Sequence, residues 1–133
     1  MAKRVAAVLP TPTDAELDIL RVLWERGEST VREVHDVVSS TRGIGYTTVL
    51  KQMQVMHQKG LLTRHERFKS HVYAPAQART TTQRALAGQL LEQVFGGSAR
   101  SLLQSALAGR RVDAQELEEI RALVDQLQKR GRS

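Results

Sequence analysis

Apolar residues recur at helical spacing three times in the first sixty positions. Leu17, Leu20, Leu23 and Trp24 follow Thr13-Asp14-Ala15-Glu16, a hydroxyl N-cap with a carboxylate three residues on. Gly27 stops this predicted helix. Thr30-Val31-Arg32-Glu33 repeats the capping pattern, and Val31, Val34, Val37 and Val38 form a second apolar stripe. That helix is short and β-branched, so packing rather than propensity must hold it. Residues 39–45 read as a loop with two glycines. A third helix is expected from about Tyr46 to Lys59, with Val49, Met53 and Met56 buried and Leu50 and Val55 beside them; Lys59-Gly60 marks its end. The period then changes. Two short strands are predicted, 61–67 and 71–74, joined by a tip at Phe68-Lys69-Ser70 and closed by Pro75.

Beyond Thr80 the helical period returns. Leu86, Leu90, Leu91 and Val94 lead to a break at Gly96-Gly97. Leu102, Leu103 and Leu107 mark a second piece that ends near Gly109. Asp113 and Glu116 open a last helix carrying Leu117, Ile120, Leu123, Val124 and Leu127. This seam resembles about two heptads, short for a coiled coil. The expected fold is mostly α with a small β wing: a winged helix-turn-helix over 13–79 and a C-terminal helical dimerisation region over 80–133. Residues 1–12, broken by Pro10 and Pro12, read as a flexible tail.

Composition narrows the function. The chain of 133 residues is 41% hydrophobic and 26% charged, a globular balance. It has no cysteine, which removes disulfides, thiolate metal sites and cysteine nucleophiles and fits a cytoplasmic protein. The apolar run Val5–Leu9 falls short of a secretory core of about 7–15 residues, so no leader is expected. The net charge is +6, and it is concentrated. The window 42–79 holds seven Lys or Arg and one acid, while the rest of the chain holds 13 bases and 13 acids. A basic face of this kind suits a polyanion.

Three helices followed by a basic hairpin give a partner for that charge. In a winged helix-turn-helix the third helix enters the DNA major groove, where base edges present distinct donors, acceptors and methyl groups. Tyr46, Thr47, Thr48 and Lys51 lie at the start of that helix and are the expected base contacts. Capping of the helix by Thr47 or Thr48 is the alternative use of those hydroxyls. Arg42, Arg64, Arg67 and Lys69 are expected on the DNA backbone or along the wing. His35, His57, His65 and His71 lack metal-ligand spacing, so neither metal nor cofactor is expected. No nucleophile elbow, phosphate-binding glycine loop or zinc-protease motif is present, and no enzyme activity is expected.

These segments also carry a family resemblance. Residues 13–20 with Leu23-Trp24, then Thr30-Val31-Arg32-Glu33-Val34, Tyr46-Thr47-Thr48-Val49, 59–64 and His71-Val72-Tyr73-Ala74-Pro75 resemble the penicillinase-repressor family, which includes the β-lactamase and methicillin-resistance repressors. The resemblance is strong over 13–79 and weaker over 80–128. It implies a homodimer that represses from a palindromic double-stranded DNA operator. It also implies release by a membrane sensor metalloprotease that cuts shortly after a Gly-Gly. The matching stretch here contains Gln104, Ser105 and Ala106. The copper-responsive branch, which uses a cysteine-rich tail, is excluded as a metal sensor. The dimer joint is expected from Leu86, Leu90 and Val94, from Leu102, Leu103 and Leu107, and from Leu117, Ile120, Val124 and Leu127. A protein-interaction adaptor built on the same fold without specific DNA binding is the competing class; the basic window argues against it. No small-molecule substrate is expected.

Overall fold

A computed structural model describes residues 11–132. Most of the expected tail therefore lies outside the described residues. Helix α1 (Asp14–Arg26) starts at a complete capping box. The Thr13 hydroxyl accepts from the Glu16 amide at 3.2 Å, and Glu16 Oε1 accepts from the Thr13 amide at 2.9 Å. Strand β1 (Ser29–Thr30) follows, then α2 (Val31–Arg42), capped in the same reciprocal way by Thr30 and Glu33. Gly43 ends α2 in the left-handed region, with φ 65°, and its amide donates to Ser39 O at 2.9 Å. Any other residue there would carry the steric cost of a Cβ.

Helix α3 (Tyr46–Gln58) leads into β2 (Leu62–Arg67) and β3 (Ser70–Pro75). The sheet order is β1-β3-β2, all antiparallel. The third strand was not expected from the sequence: β1 has only two residues, defined by the pairings Ser29↔Tyr73 and Thr30↔Val72. Helix α2 also runs further than expected, through the serines and threonine read as loop. Ser40 and Thr41, both exposed, donate their hydroxyls back to Val37 O and Val38 O, at 2.7 and 3.1 Å, and both residues remain in the helix.

The core joins all three helices to the sheet. Ile19, Leu20 and Leu23 meet Val34 and Val38, Val49, Met53 and Met56, and the sheet residues Leu62 and Tyr73. Burying one face of each helix fixes which face is left outside. Arg67↔Ser70 is the last pair of the β2–β3 ladder, so the wing turns on two residues alone. Both have positive φ, Phe68 at 52° and Lys69 at 66°. That is the geometry of a type I′ hairpin turn, which favours Asn and Gly; a side chain with a Cβ there costs about 1–2 kcal/mol.

Helix α4 (Arg79–Gln93) crosses the boundary between two compact units, which divide at Gly88/Gln89. Its first turns therefore belong with the N-terminal unit, and Thr82 is buried there. Arg79 lies over the Trp24 ring at 5.6 Å and reaches Glu25 at 3.4 Å. The second unit contains the end of α4, α5 (Ala99–Leu107) and α6 (Ala114–Arg132). Ser98 caps α5, accepting from the Ser101 amide at 3.1 Å, and Asp113 caps α6, accepting from Glu116 at 2.7 Å. Val94 sits just past the end of α4, its amide bonded to Leu90 O. No side chain described in this unit is fully buried.

Candidate nucleic-acid interface

With Val49, Met53 and Met56 inward, helical geometry places Thr47, Lys51 and Gln54 on the opposite face. All three are exposed, and Thr48 and Val55 are exposed beside them. The N-cap of α3 is Gly45, with no side-chain cap bond. Thr47 and Thr48 are therefore not capping groups, and their hydroxyls have no hydrogen-bond partner among the described residues. Thr47, Thr48, Lys51, Gln52 and Val55 line an open cleft of about 340 Å³ against Thr13 and Glu16 at the start of α1.

Tyr46 is more constrained than its neighbours. The Arg32 guanidinium sits 4.6 Å from its ring centroid, and the His35 ring meets it edge-on at 5.9 Å. A second cleft, of about 320 Å³, joins the start of α2, the start of α3 and the wing through Arg32, Tyr46, Lys69 and His71. Arg32 and Gln54 are not among the DNA contacts expected from the sequence. Arg32 lies outside the basic window, although its place in the first turn of α2 was readable. Gln54 lies seven residues after Thr47 and three after Lys51, a spacing that puts it on the same face.

The basic window is thinner in space than in sequence. Arg42 pairs with Asp18 at 2.9 Å, Lys59 with Glu16 at 2.8 Å, and Arg79 with Glu25. Three of its seven cations are thus matched by acids of α1. Lys51, Arg64, Arg67 and Lys69 have no carboxylate within ion-pair distance among the described residues; Arg64 stands 6.0 Å from the Tyr73 ring. Arg67 acts at longer range on Glu33, so the free positive charge of the window is that of Lys51 on the outer face of α3 and of Arg64 and Lys69 on the wing.

Lys59–Glu16 also ties the C-cap of α3 to the first turn of α1. Burial is the largest influence on the Glu16 carboxyl and raises its pKa. The Lys59 hydrogen bond and charge, with the Thr13 amide, outweigh it and hold the carboxyl below its ordinary value. Glu33 is held low chiefly by the Thr30 amide. Each capping carboxylate thus stays ionised and fastens the helix start that frames the exposed face of α3.

In the second unit, Leu90, Val94, Leu103, Leu117, Val124 and Leu127 are exposed by 42–65%. Leu102, Leu107 and Ile120 are half-buried, as is Leu86 in the first unit. Gln104, Ser105 and Ala106 are exposed near the end of α5. No group of three or more His, Asp or Glu is placed to hold a metal among the described residues, and none of their helices is long and apolar enough to cross a membrane.

Three helices that bury one face, an exposed polar face on the third, and a hairpin carrying unmatched cations define a winged helix-turn-helix protein. A family model described as penicillinase repressor matches residues 12–126. The chain belongs to that family, whose members are transcriptional regulators rather than enzymes. It is 32% identical over 118 residues to the transcriptional regulator BlaI of Mycobacterium tuberculosis, covering 86% of this chain and 83% of the relative. It is 21% identical to the penicillinase repressor of Bacillus licheniformis, covering 89% and 92%. A solved MarR family protein from Bacillus stearothermophilus, 18% identical, gives a TM-score of 0.48 over 93% of this chain and 78% of that one.

Proposed function

We infer that this chain is a cytoplasmic, sequence-specific repressor that binds a palindromic operator duplex as a homodimer. The observation that carries the reading is the outer face of α3, where Thr47, Thr48 and Lys51 are exposed and unengaged beside the unmatched cations of the wing. A helix about 10–12 Å across fits a major groove about 12 Å wide. Threonine methyls suit thymine methyls, threonine hydroxyls suit base edges, and Lys51 suits a guanine edge or a phosphate. Arg64, Arg67 and Lys69 take phosphates and fix the register. Arg42, already paired with Asp18, contributes least to the backbone contacts.

The second unit supports dimerisation because its apolar side chains have no interior of their own to fill. Two copies would bury these leucines and valines and join two DNA-reading units. Release by a membrane sensor metalloprotease that cuts at 104–106 completes the reading, since those residues are exposed and a cut there would separate α6 from α4. A gel shift tests the binding directly. Duplexes enriched by the protein from a random-sequence pool should survive excess unrelated competitor DNA. Equal loss of enriched and unrelated duplexes would leave only non-specific attraction and overturn the reading.

A further inference from the structure

Phe68 is the most exposed large apolar side chain among the described residues, at 94%. A single exposed apolar residue is ordinary on a protein surface. This one occupies the first position of a two-residue turn whose φ of 52° disfavours any side chain, and a bulky aromatic most of all. Departures from turn chemistry without a packing gain are expected where function holds them. Phe68 has no such gain, and its chain neighbours are the cations Arg67, coupled only at longer range to Glu33, and Lys69, which has no carboxylate within ion-pair distance. The ring is thus carried on a narrow hairpin, with positive charge on both sides. Lys69 and Tyr46 line one cleft, which sets the wing tip beside the start of α3.

We propose that Phe68 is a wedge that enters the DNA minor groove next to the major groove occupied by α3, and partly unstacks a base step there. The inference rests on the DNA-binding reading above and adds a residue that deforms the duplex. The minor groove, about 6 Å wide, excludes a helix but admits one aromatic ring. Apolar wedges flanked by Arg or Lys kink duplexes toward the major groove, and they do so most cheaply at flexible pyrimidine–purine steps. Arg67 and Lys69 hold the phosphates on either side while the ring is inserted. The sequence preference of the wing is then for deformability at that step, without hydrogen bonds to bases.

The test uses the full chain, its Phe68→Gly and Phe68→Leu variants, and end-labelled duplexes enriched by the unsubstituted protein from a random-sequence pool. Affinity and bend are read together by energy transfer between the duplex ends. Glycine suits the positive φ, so Phe68→Gly should melt no lower than the parent. It should nevertheless lose affinity on the order of tenfold and lose most of the bend. Phe68→Leu, still an apolar wedge, should keep most of both. Unchanged affinity and bend in Phe68→Gly would overturn the wedge, as would a parent complex in which the duplex stays straight; both leave the DNA-binding reading standing. A parent protein that enriches no duplex at all would overturn both.

Discussion

On the proposed reading, single side chains at the interface divide into those that read DNA and those that hold the fold. Thr48 is exposed on α3 and makes no internal hydrogen bond, so on the proposed reading its replacement removes DNA contacts and little else. Thr48→Ala should weaken binding to an enriched duplex by about 1–3 kcal/mol and leave binding to unrelated duplex nearly unchanged, as measured by competition anisotropy. Glu16 holds instead of reading. Its carboxyl has a lower pKa in the folded chain than its ordinary value of 4.5. The stability it contributes is therefore fully present above 4.5 and is lost as pH falls through the lower, folded value. Glu16→Gln should destabilise the protein by about 1–2 kcal/mol at neutral pH, because Lys59 is partly exposed and water can replace much of the lost pairing. Urea midpoints of the two proteins should converge at pH values below the folded pKa. A gap that persists there would mean that shape, and not charge, fixes this contact.

At the scale of elements, the capping boxes decide where α1 and α2 begin. Thr30→Ala removes the acceptor for the Glu33 amide and should cost about 1 kcal/mol in thermal unfolding, with the third helix and the wing otherwise intact. Both boxes were legible because their signal is local: a hydroxyl, then a carboxylate three residues later. So were the buried stripe of α3 and the strand-ending Pro75. The start of α3 at Tyr46 was also legible, so Tyr46, Thr47, Thr48 and Lys51 fall in its first two turns as expected. The misses share a cause. Strand β1 exists only through pairing with Tyr73 and Val72, more than forty residues away. The last turn of α2 depends on hydroxyls folding back onto their own helix, a choice that Ser40 and Thr41 make only in context. The ion pairs Arg42–Asp18, Lys59–Glu16 and Arg79–Glu25 join distant segments, so a count of charges along the chain overstated the cations available to DNA. The Gly88/Gln89 division falls inside a continuous helix, where no change of period marks it.

At the scale of the whole molecule, the proposed repressor gains its affinity by joining two reading units. A lone winged helix contacts one half-site; a linked pair makes the second contact intramolecular, at an effective concentration of order mM and with a gain of about 10²–10⁴. A chain ending at Gly97 lacks α5 and α6. It should sediment mainly as a monomer and bind a full palindrome hardly better than a half-site. A truncated chain that stayed dimeric and kept full affinity would place the joint elsewhere. The central claim, that α3 and the wing neutralise DNA phosphates, is tested most directly by the salt dependence of binding by the full chain. With about three to five phosphates neutralised per protomer, the log–log slope should lie near −5 to −9. Lys69→Ala should flatten it by about one per protomer. A slope shallower than about −2, or one that Lys69→Ala leaves unchanged, would contradict the account.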